Sequence, residues 1–508
     1  MNTFVERHAA KIRGTLSCFD RVVLTGTLPD IAHAGAMATY LTARHIRLFD
    51  YQQWAAPLRE EIRARAEQVA RDAGLTIDFI RRKDFRKEAR IKALLAERGE
   101  HPGLVHIFSA MEPCPSFRPW HDKLLHRTML KSTEGKCLHY YFYFIDPDFG
   151  LCYLRVPTWA PFRLQVYFNG HNWLAARLKR AKLAYTLVDN AFVEVADWGR
   201  AQRLADQFEV WRLHTALDRF ARQYCPLLAH FPAGYHWSVL QVEYATDVVF
   251  TQPAAFAPLY GALTHTAIHA VKPDHVATFL GRKLTDAWPG ELGNNFATRI
   301  QGTRIKHHMG AAAIKLYDKF GLIGRVECTT NDVTFFKHHR LVEHRDGTAE
   351  YKLAAVRKTL YSLPDLRDLM RAANARYLDF LAAIEDPQPG LRQLEKIAAP
   401  VREDARSHRG LNLFHGPDLD LCCAVFRGEF TISGFQARHL RSHVPALTGS
   451  QLSRGLKRLR VHGLIKKIGH RYKYYLTTAG RTVLATALKL RELVVIPALN
   501  ASAVAGPA

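Results

Sequence analysis

The first 200 residues contain two kinds of apolar pattern, one typical of β-strands and one typical of amphipathic helices. Runs rich in β-branched and aromatic side chains at 18–28, 75–80, 103–113 and 137–156 are typical of strands. Between them, stretches such as Pro57–Ala73 repeat their apolar positions every three to four residues, as amphipathic helices do. Strands that alternate with helices predict a mixed α/β domain over residues 1–200.

The pattern becomes more helical over residues 201–385, which we predict to be a second domain. We interpret residues 234–250 as a helix, which places Glu243 and Asp247 four residues apart on one face. That spacing suits two ligands of one metal ion, although a nearby arginine would equally neutralise the two carboxylates. His265 and His269 are also four residues apart and share a helix face, but the sequence shows no matching third metal ligand for them.

Residues 304–332 contain two short apolar runs separated by Lys-Phe-Gly, which predicts a β-hairpin. Residues two apart on a strand share a face, so Arg325 and Glu327 point the same way and can lie across the hairpin from Tyr317. With Lys319, the hairpin would bring a phenol, a guanidinium, a carboxylate and an ammonium group onto one small surface. Lys315, His307 and His308 lie nearby in sequence.

The pattern Lys-x-Tyr-Asp-Lys, a turn and Arg-x-Glu resembles the core hairpin of plasmid and phage rolling-circle replication initiators. The resemblance implies that Tyr317 attacks a DNA phosphate, that Glu327 binds or orients a divalent metal ion, and that Arg325 and Lys319 face the phosphate. It covers about thirty residues, and the His-hydrophobic-His metal motif of many initiators is absent from the sequence. The alternative is structural: Tyr317 packs in a sheet and the charged residues form surface ion pairs.

Two further stretches, QVEYATD and FLGRKL, together with the hairpin, resemble a widespread bacterial family of the mobile-element kind. That resemblance implies no activity by itself.

After a predicted linker at 386–417, residues 418–495 show the order helix, helix, helix, two short strands, helix. This order resembles the winged-helix domains of bacterial regulators, and we expect residues 496–508 to be a disordered tail. The third helix has Leu452, Leu456 and Leu459 as its buried stripe. Between Ser450 and Lys473 there are eight basic residues and no acid. A recognition helix and a basic wing need this arrangement, so we predict DNA contacts from Arg454, Lys457, Arg458, Arg460, Lys466, Lys467, Arg471 and Lys473. A winged helix used for protein contacts is the alternative.

Composition strengthens the case for a polyanionic partner. The 508 residues include 71 Lys and Arg against 47 Asp and Glu, a formal net charge of +24. Nucleic acid is the usual partner of such an excess, and a membrane surface is the weaker alternative. The N-terminus lacks the apolar segment of a signal peptide, and the eight cysteines form no C-x-x-C pair. We therefore expect a cytoplasmic protein with reduced thiols.

Phosphodiester chemistry commonly uses Mg²⁺ or Mn²⁺ held by converging carboxylates. The candidate ligands are Asp20, Glu243, Asp247 and Glu327, and the other acids at predicted strand ends are Glu112, Asp146 and Asp148. We expect a DNA-binding protein of a mobile genetic element, a replication initiator or transposase that nicks and transfers strands with a divalent metal. We expect DNA as its partner, together with further copies of the chain in a homo-oligomer. The alternatives are a non-enzymatic winged-helix transcriptional regulator and an RNA-binding protein.

Overall fold

The fold is known from a computed structural model. It describes residue 499 and residues 3–496, except for 125, 285–287, 289, 300–301, 386–391, 393–394, 413–414, 428, 431–433 and 469–471. The chain divides into two compact units, residues 1–385 and 386–508. No helix of the described residues is long and apolar enough to cross a membrane.

One mixed sheet of eleven strands organises the first unit. All neighbouring strands are antiparallel except β2 and β3. In spatial order the strands are β10 (Leu292–Arg299), β11 (Gly302–Met309), β12 (Ala312–Lys319), β13 (Ile323–Thr330), β9 (His236–Phe250), β1 (Ile12–Thr27), β6 (Leu164–Asn169), β5 (Gly150–Pro157), β4 (Arg127–Asp146), β3 (Gly103–Asp122) and β2 (Ile77–Phe79).

The sheet corrects the predicted domain boundary near residue 200. Strand β1 pairs with β9 along almost its whole length, from Ile12 opposite Phe250 to Thr27 opposite His236. The central strands therefore come from both sides of residue 200, and the two predicted domains share one sheet. The prediction of a mixed α/β body is confirmed.

Helices cover the sheet and bury its apolar residues in one large core. They are α1 (Thr3–Arg7), α2 (Ala34–Thr42), α3 (Tyr51–Asp72), α4 (Lys87–Arg98), α5 (Gly170–Arg180), α6 (Trp198–Asp206), α7 (Val210–Tyr224), α8 (Pro253–His269), α9 (Pro273–Phe279) and α10 (Leu363–Glu385). Two separate hairpins, β7 (Tyr185–Val188) with β8 (Ala191–Val195) and β14 (Lys337–Glu343) with β15 (Ala349–Ala355), complete the unit.

The helix predicted for residues 234–250 is wrong, because this stretch is strand β9. Its β-branched and aromatic residues alternate across the sheet. Helix α10 packs on one face, where the Asn374 side-chain amide donates to the Tyr244 carbonyl at 3.0 Å and to Thr246 Oγ1 at 3.1 Å. Glu243 and Asp247 occupy the other face, because an even spacing places two residues on the same side of a strand.

The second unit has its own apolar core. Its elements are β16 (Val401–Glu403), β17 (Arg406–His408), α11 (Gly416–Val425), α12 (Ala437–Leu440), α13 (Gly449–Val461), β18 (Ile465–Ile468), β19 (Lys473–Leu476) and α14 (Thr478–Leu490). The order predicted for residues 418–495 matches these elements. Residues 401–408 form a hairpin, so the predicted linker at 386–417 contains regular structure. Of the predicted tail, residues 497–498 and 500–508 lie outside the described residues.

Helix α13 has a capping residue at each end. Thr448 is the N-cap, and its hydroxyl accepts from the Gln451 amide at 3.3 Å. Gly463, with φ of 76°, follows the helix in a left-handed conformation that favours glycine. The predicted stripe of Leu452, Leu456 and Leu459 is buried. The remaining helix surface carries the basic side chains.

Candidate active site

The site is built on the β12–β13 hairpin, which the structure confirms. Tyr317 lies directly opposite Arg325, and Lys315 lies directly opposite Glu327. Directly paired residues share a sheet face, so the four side chains project from the same side. The chain reverses at Phe320 and Gly321, which have φ of 62° and 66°. The predicted grouping of phenol, guanidinium and carboxylate on one surface is therefore correct.

Two neighbouring strands bring further carboxylates to this surface. On β9, Ala245 pairs with Glu327, and Glu243 lies two residues away on the same face. On β1, the pairing with β9 is irregular between Phe19 and Val22, and this irregularity contains Asp20. One oxygen from each of Asp20, Glu243 and Glu327 lies within 4.8 Å of the others. Among the described residues, this is the one group of three or more side chains placed closely enough to bind a single metal ion.

Asp247 belongs to the same surface but binds Arg325 instead of joining that group. The Arg325 guanidinium donates from Nε to Oδ1 at 2.6 Å and from Nη2 to Oδ2 at 2.7 Å. Arg325 is 0% exposed. The prediction that Arg325 faces a bound phosphate is therefore wrong, because its strand lies inside the sheet with an acid directly opposite. Asp247 is a partner of Arg325 rather than a free metal ligand.

Asp20 is held by three side chains that the sequence analysis did not single out. It accepts from Asn169 Nδ2 at 2.9 Å and from Asn190 Nδ2 at 2.6 Å, and it lies 3.1 Å from His171 Nδ1. Burial raises the pKa of Asp20, but the His171 hydrogen bond and the Arg325 charge outweigh burial and hold this pKa well below its usual value. Asp20 is therefore an ionised carboxylate in the interior.

His171 lies between Arg325 and two carboxylates. Its Nε2 lies 3.1 Å from Nη2 of Arg325 and 3.7 Å from Asp247, and its Nδ1 lies 3.1 Å from Asp20. Burial lowers the pKa of His171, but Cys18, Asp20 and Asp247 outweigh burial and raise this pKa well above its usual value. His171 lies in the first turn of α5. Asn169 is the N-cap of this helix, and its side chain accepts a hydrogen bond from the His171 backbone amide at 2.8 Å. A polar Asn-Gly-His-Asn run directly after an apolar strand is the signal that could have identified this residue.

Glu327 is the least solvated carboxylate of the metal-ligand group, at 2% exposure. Lys315 Nζ donates to Glu327 at 2.7 Å and to Glu243 at 3.4 Å. Burial raises the pKa of Glu327 to about 7, with Lys315 opposing the shift and the Asp20 charge adding to it. Glu327 can therefore gain or lose a proton near neutral pH.

The hydroxyl of Tyr317 donates to this same carboxylate at 3.3 Å. Burial raises the pKa of Tyr317 well above its usual value, and the Glu327 charge adds to the effect. Lys319 Nζ donates to Asn190 Oδ1. Burial and the nearby Arg325 charge together lower the pKa of Lys319 to about 8. The half-buried phenol thus has a proton acceptor beside it and an ammonium group of reduced pKa two residues away.

The three carboxylates fit a divalent cation by their chemistry. Carboxylate oxygens are the ligands that Mg²⁺ and Mn²⁺ prefer, and a buried acidic group needs a compensating positive charge. Lys315 provides one such charge, since it bridges Glu243 and Glu327. A metal ion held by Asp20, Glu243 and Glu327 would take over that role from the ammonium group.

The other predicted acids lie elsewhere in unit 1. Glu112 accepts from Arg155 Nη2 at 2.8 Å, Asp146 accepts from the amides of its own turn at 2.8 and 3.1 Å, and Asp148 binds Arg180. Among the described residues, none of these three acids joins Asp20 in a group of potential metal ligands.

Among the nearby histidines, His307 is also outside the site, with Nε2 2.9 Å from Tyr377 Oη of α10. His265 and His269 share a face of α8, with ring centroids 4.4 Å apart. Within the described residues, no third metal ligand joins them.

The predicted DNA-contacting residues of unit 2 fall into two groups. Arg458 was predicted to contact DNA, but its side chain is only 13% exposed and binds Asp418, so it does not face outward. Lys457 and Arg460 both bind Glu403 of the β16–β17 hairpin. The count of eight basic residues without an acid is correct for the sequence, but acids from outside that stretch neutralise three of them. Arg454, Lys466 and Lys467 are exposed. Lys473 is half-buried, and Arg471 lies outside the described residues.

The wing strands also carry aromatic side chains next to their lysines. Lys467 Nζ lies 3.6 Å from the ring centroid of the exposed Tyr472, and Lys473 Nζ lies 5.6 Å from that of Tyr475. This part of unit 2 therefore keeps a basic and aromatic surface. Comparison of the chain with protein-family models, with curated proteins and with solved structures gives no match.

Proposed function

We propose that this chain is a DNA-processing protein of the mobile-element kind that nicks and transfers a DNA strand with the help of a divalent metal ion. The observation that carries the proposal is the convergence of Asp20, Glu243 and Glu327 beside Tyr317 on adjacent strands. Carboxylates from distant parts of a chain rarely meet in the interior without a cation to hold or a proton to exchange.

Asp20, Glu243 and Glu327 would hold Mg²⁺ or Mn²⁺, which polarises a phosphoryl oxygen and stabilises the charge that develops on it. Asn169, Asn190 and His171 fix the Asp20 carboxylate, so that one ligand is positioned before substrate arrives. Arg325 keeps Asp247 from competing for the ion and acts as a positioning residue.

Tyr317 is the proposed nucleophile. Its Oη forms a bond to phosphorus while the bond from phosphorus to the leaving nucleotide oxygen breaks, so the phosphodiester is kept as a phosphotyrosyl ester. The phenolic proton passes to the Glu327 oxygen that accepts the Tyr317 hydrogen bond at 3.3 Å, which leaves the other carboxylate oxygen for the metal ion. Lys319, with its pKa lowered to about 8, gives a proton to the leaving oxygen.

For unit 2 we propose a winged-helix DNA-binding domain. The order of three helices, two strands and a fourth helix supports this proposal, as do the exposed Lys466 and Lys467 on the first wing strand. The net charge of +24 provides the long-range attraction to a polyanion.

The test is incubation of the full chain with labelled single-stranded and supercoiled DNA in Mg²⁺ or Mn²⁺, followed by denaturing gels. We expect nicked product and a covalent protein–DNA adduct that is lost in Tyr317→Phe. Tyr351→Phe is the matched control, because Tyr351 is an exposed tyrosine of the same unit. Cleavage without an adduct would replace Tyr317 by water as the nucleophile, and no cleavage with any metal would exclude strand transfer.

The second candidate is a non-enzymatic transcriptional regulator. It is favoured by the observation that Lys315 already bridges Glu243 and Glu327 while Arg325 binds Asp247. In that case the cluster is a structural charge network. Retained sequence-specific duplex binding without cleavage would support it.

A further inference from the structure

Unit 2 contains a second basic surface. Part of it is the β16–β17 hairpin, which lies in the segment predicted to be a linker, residues 386–417. The hairpin β16–β17 is anchored to helix α13 through its acids. Glu403 accepts from Arg460 Nη2 at 2.9 Å and also binds Lys457, and Asp404 lies 3.8 Å from Lys457 Nζ. The hairpin is therefore fixed against the helix by several ion pairs.

A second set of contacts fixes the chain on either side of the hairpin. His462, directly after α13, lies with Nδ1 2.7 Å from the Lys396 carbonyl and with Nε2 2.9 Å from the Arg409 carbonyl. Asp418 of α11 accepts from the Asn412 amide at 3.1 Å and from Arg409 at 3.3 Å, and it also binds Arg458. Residues 396–412 thus belong to the folded unit.

The hairpin and α13 enclose a cleft of about 980 Å³. Its hairpin wall carries Arg406, Ser407 and His408, and its helix wall carries Gln451 and Arg454. The acids that line it, Glu403, Asp404 and Asp418, all take part in the ion pairs described above. Among the described residues, no acid lies within ion-pairing distance of Arg406 or Arg454, and both are exposed.

We infer that this cleft binds the phosphodiester backbone of DNA, with Arg406 and Arg454 each contacting a phosphate from opposite walls. A chain of regularly spaced anions matches two arginines on facing walls, because each guanidinium can bind one phosphate. Ser407 and Gln451 supply neutral donors of the kind that commonly bind phosphate oxygens. This inference rests on the proposed DNA binding and adds the hairpin to the contact surface.

The experiment measures binding of the full chain to labelled single-stranded and duplex oligonucleotides by fluorescence anisotropy, in EDTA and over a range of salt concentrations. The test variant is Arg406→Gln with Arg454→Gln. Its matched control is Arg438→Gln with Arg481→Gln, two exposed arginines of the same unit that do not line the cleft. Both variants remove two positive charges.

We expect the cleft variant to bind roughly tenfold or more weakly than the control, with the slope of log affinity against log salt reduced by about two. A loss with single strands alone would assign the cleft to an unpaired strand, and a loss with duplex alone would assign it to a duplex backbone. Affinity equal to that of the control would overturn the inference. Tighter binding of DNA by the cleft variant would also overturn the inference, because Arg406 and Arg454 would then hinder DNA binding instead of contributing to it.

A third variant, Lys466→Gln with Lys467→Gln, separates this inference from the proposed function. If the wing variant weakens binding and the cleft variant does not, DNA binding stands and the cleft assignment fails. If the wild-type chain binds neither oligonucleotide, both fail.

Discussion

Arg325 and Asp247 lie directly opposite each other on β13 and β9, and two hydrogen bonds of 2.6 and 2.7 Å join them in complete burial. The same guanidinium approaches Asp20 at 3.4 Å. Arg325 is thus the positive charge that Asp247 and Asp20 share.

Removal of this charge should destabilise unit 1. Arg325→Met leaves Asp247 buried without its cation, and loss of one partner of a buried pair costs about 3–5 kcal/mol. Urea denaturation measures this loss. Arg47→Met is the control, because the Arg47 side chain that binds Asp50 is exposed and its removal should change the transition little. Equal stability of Arg325→Met and wild type would contradict a structural role for the pair.

The carboxyl group of Glu327 should make stability depend on pH. Its pKa is raised from 4.5 to about 7 in the fold, so the folded state binds a proton that the unfolded state has lost. Stability is therefore lost as pH rises from about 4.5 to 7, and Glu327→Gln should become more stable relative to wild type over that window. Thermal unfolding at pH 5, 6, 7 and 8 measures the difference. A difference that stays constant with pH would contradict the raised pKa.

Divalent metal should compete with Lys315 for Glu243 and Glu327. We expect Mn²⁺ to raise the melting temperature of the wild-type chain, because an ion that binds only the folded state stabilises it. Without metal, Lys315→Met should have a lower melting temperature than the wild type. The rise in melting temperature that Mn²⁺ causes should be larger in Lys315→Met and smaller in Glu327→Gln. Glu343→Gln, an exposed acid of unit 1, is the control. No response of the wild type at millimolar Mn²⁺ would exclude the metal site.

Adduct formation should follow a bell-shaped pH profile. It requires Glu327 without its proton, and a metal ion bound to Glu327 lowers the pKa of about 7 that this group has in the metal-free fold, so the rate rises at a pH below about 7. It also requires Lys319 with its proton, so the rate falls through pH about 8. Lys319→Arg should move the falling limb to higher pH because arginine keeps its proton. Single-turnover rates from pH 5.5 to 9.5 measure both limbs, and an unchanged falling limb in Lys319→Arg would remove Lys319 from the proposed mechanism.

Glu403 should hold the β16–β17 hairpin on α13. In Glu403→Gln, amide hydrogen exchange over residues 401–408 should accelerate, because Lys457 and Arg460 lose the carboxylate that binds them. Glu429→Gln removes an acid of the same unit outside the hairpin and serves as the control. Exchange that is equally slow in both variants would show that Glu403 does not anchor the hairpin.

Local patterns predicted what is local in this molecule. The β12–β13 hairpin and the face shared by Tyr317, Arg325 and Glu327 depend on residues less than fifteen positions apart, and both are correct. Glu243 and Asp247 were placed on one face for the wrong reason. A spacing of four puts two residues together on a helix and on a strand alike, so the pair could not distinguish the two.

Contacts between distant residues were beyond the reach of such patterns. Asp20 meets Glu327 only because β1 and β13 both pair with β9, which no periodicity records. Arg458 seemed free because the acid that binds it, Asp418, lies forty positions earlier. Outward-facing positions on a helix can be predicted, but the partners that cover them depend on the tertiary fold.

The place of β1 in the sheet also sets when the site can exist during synthesis. Asp20 leaves the ribosome before the other two carboxylates, Glu243 follows more than 200 residues later, and Glu327 follows later still. A nascent or truncated chain that ends before Glu327 contains the first carboxylate and lacks the last. If the proposed chemistry is correct, a chain that ends before Glu327 cannot nick DNA, because the final strand of the centre is made about 300 residues after Asp20.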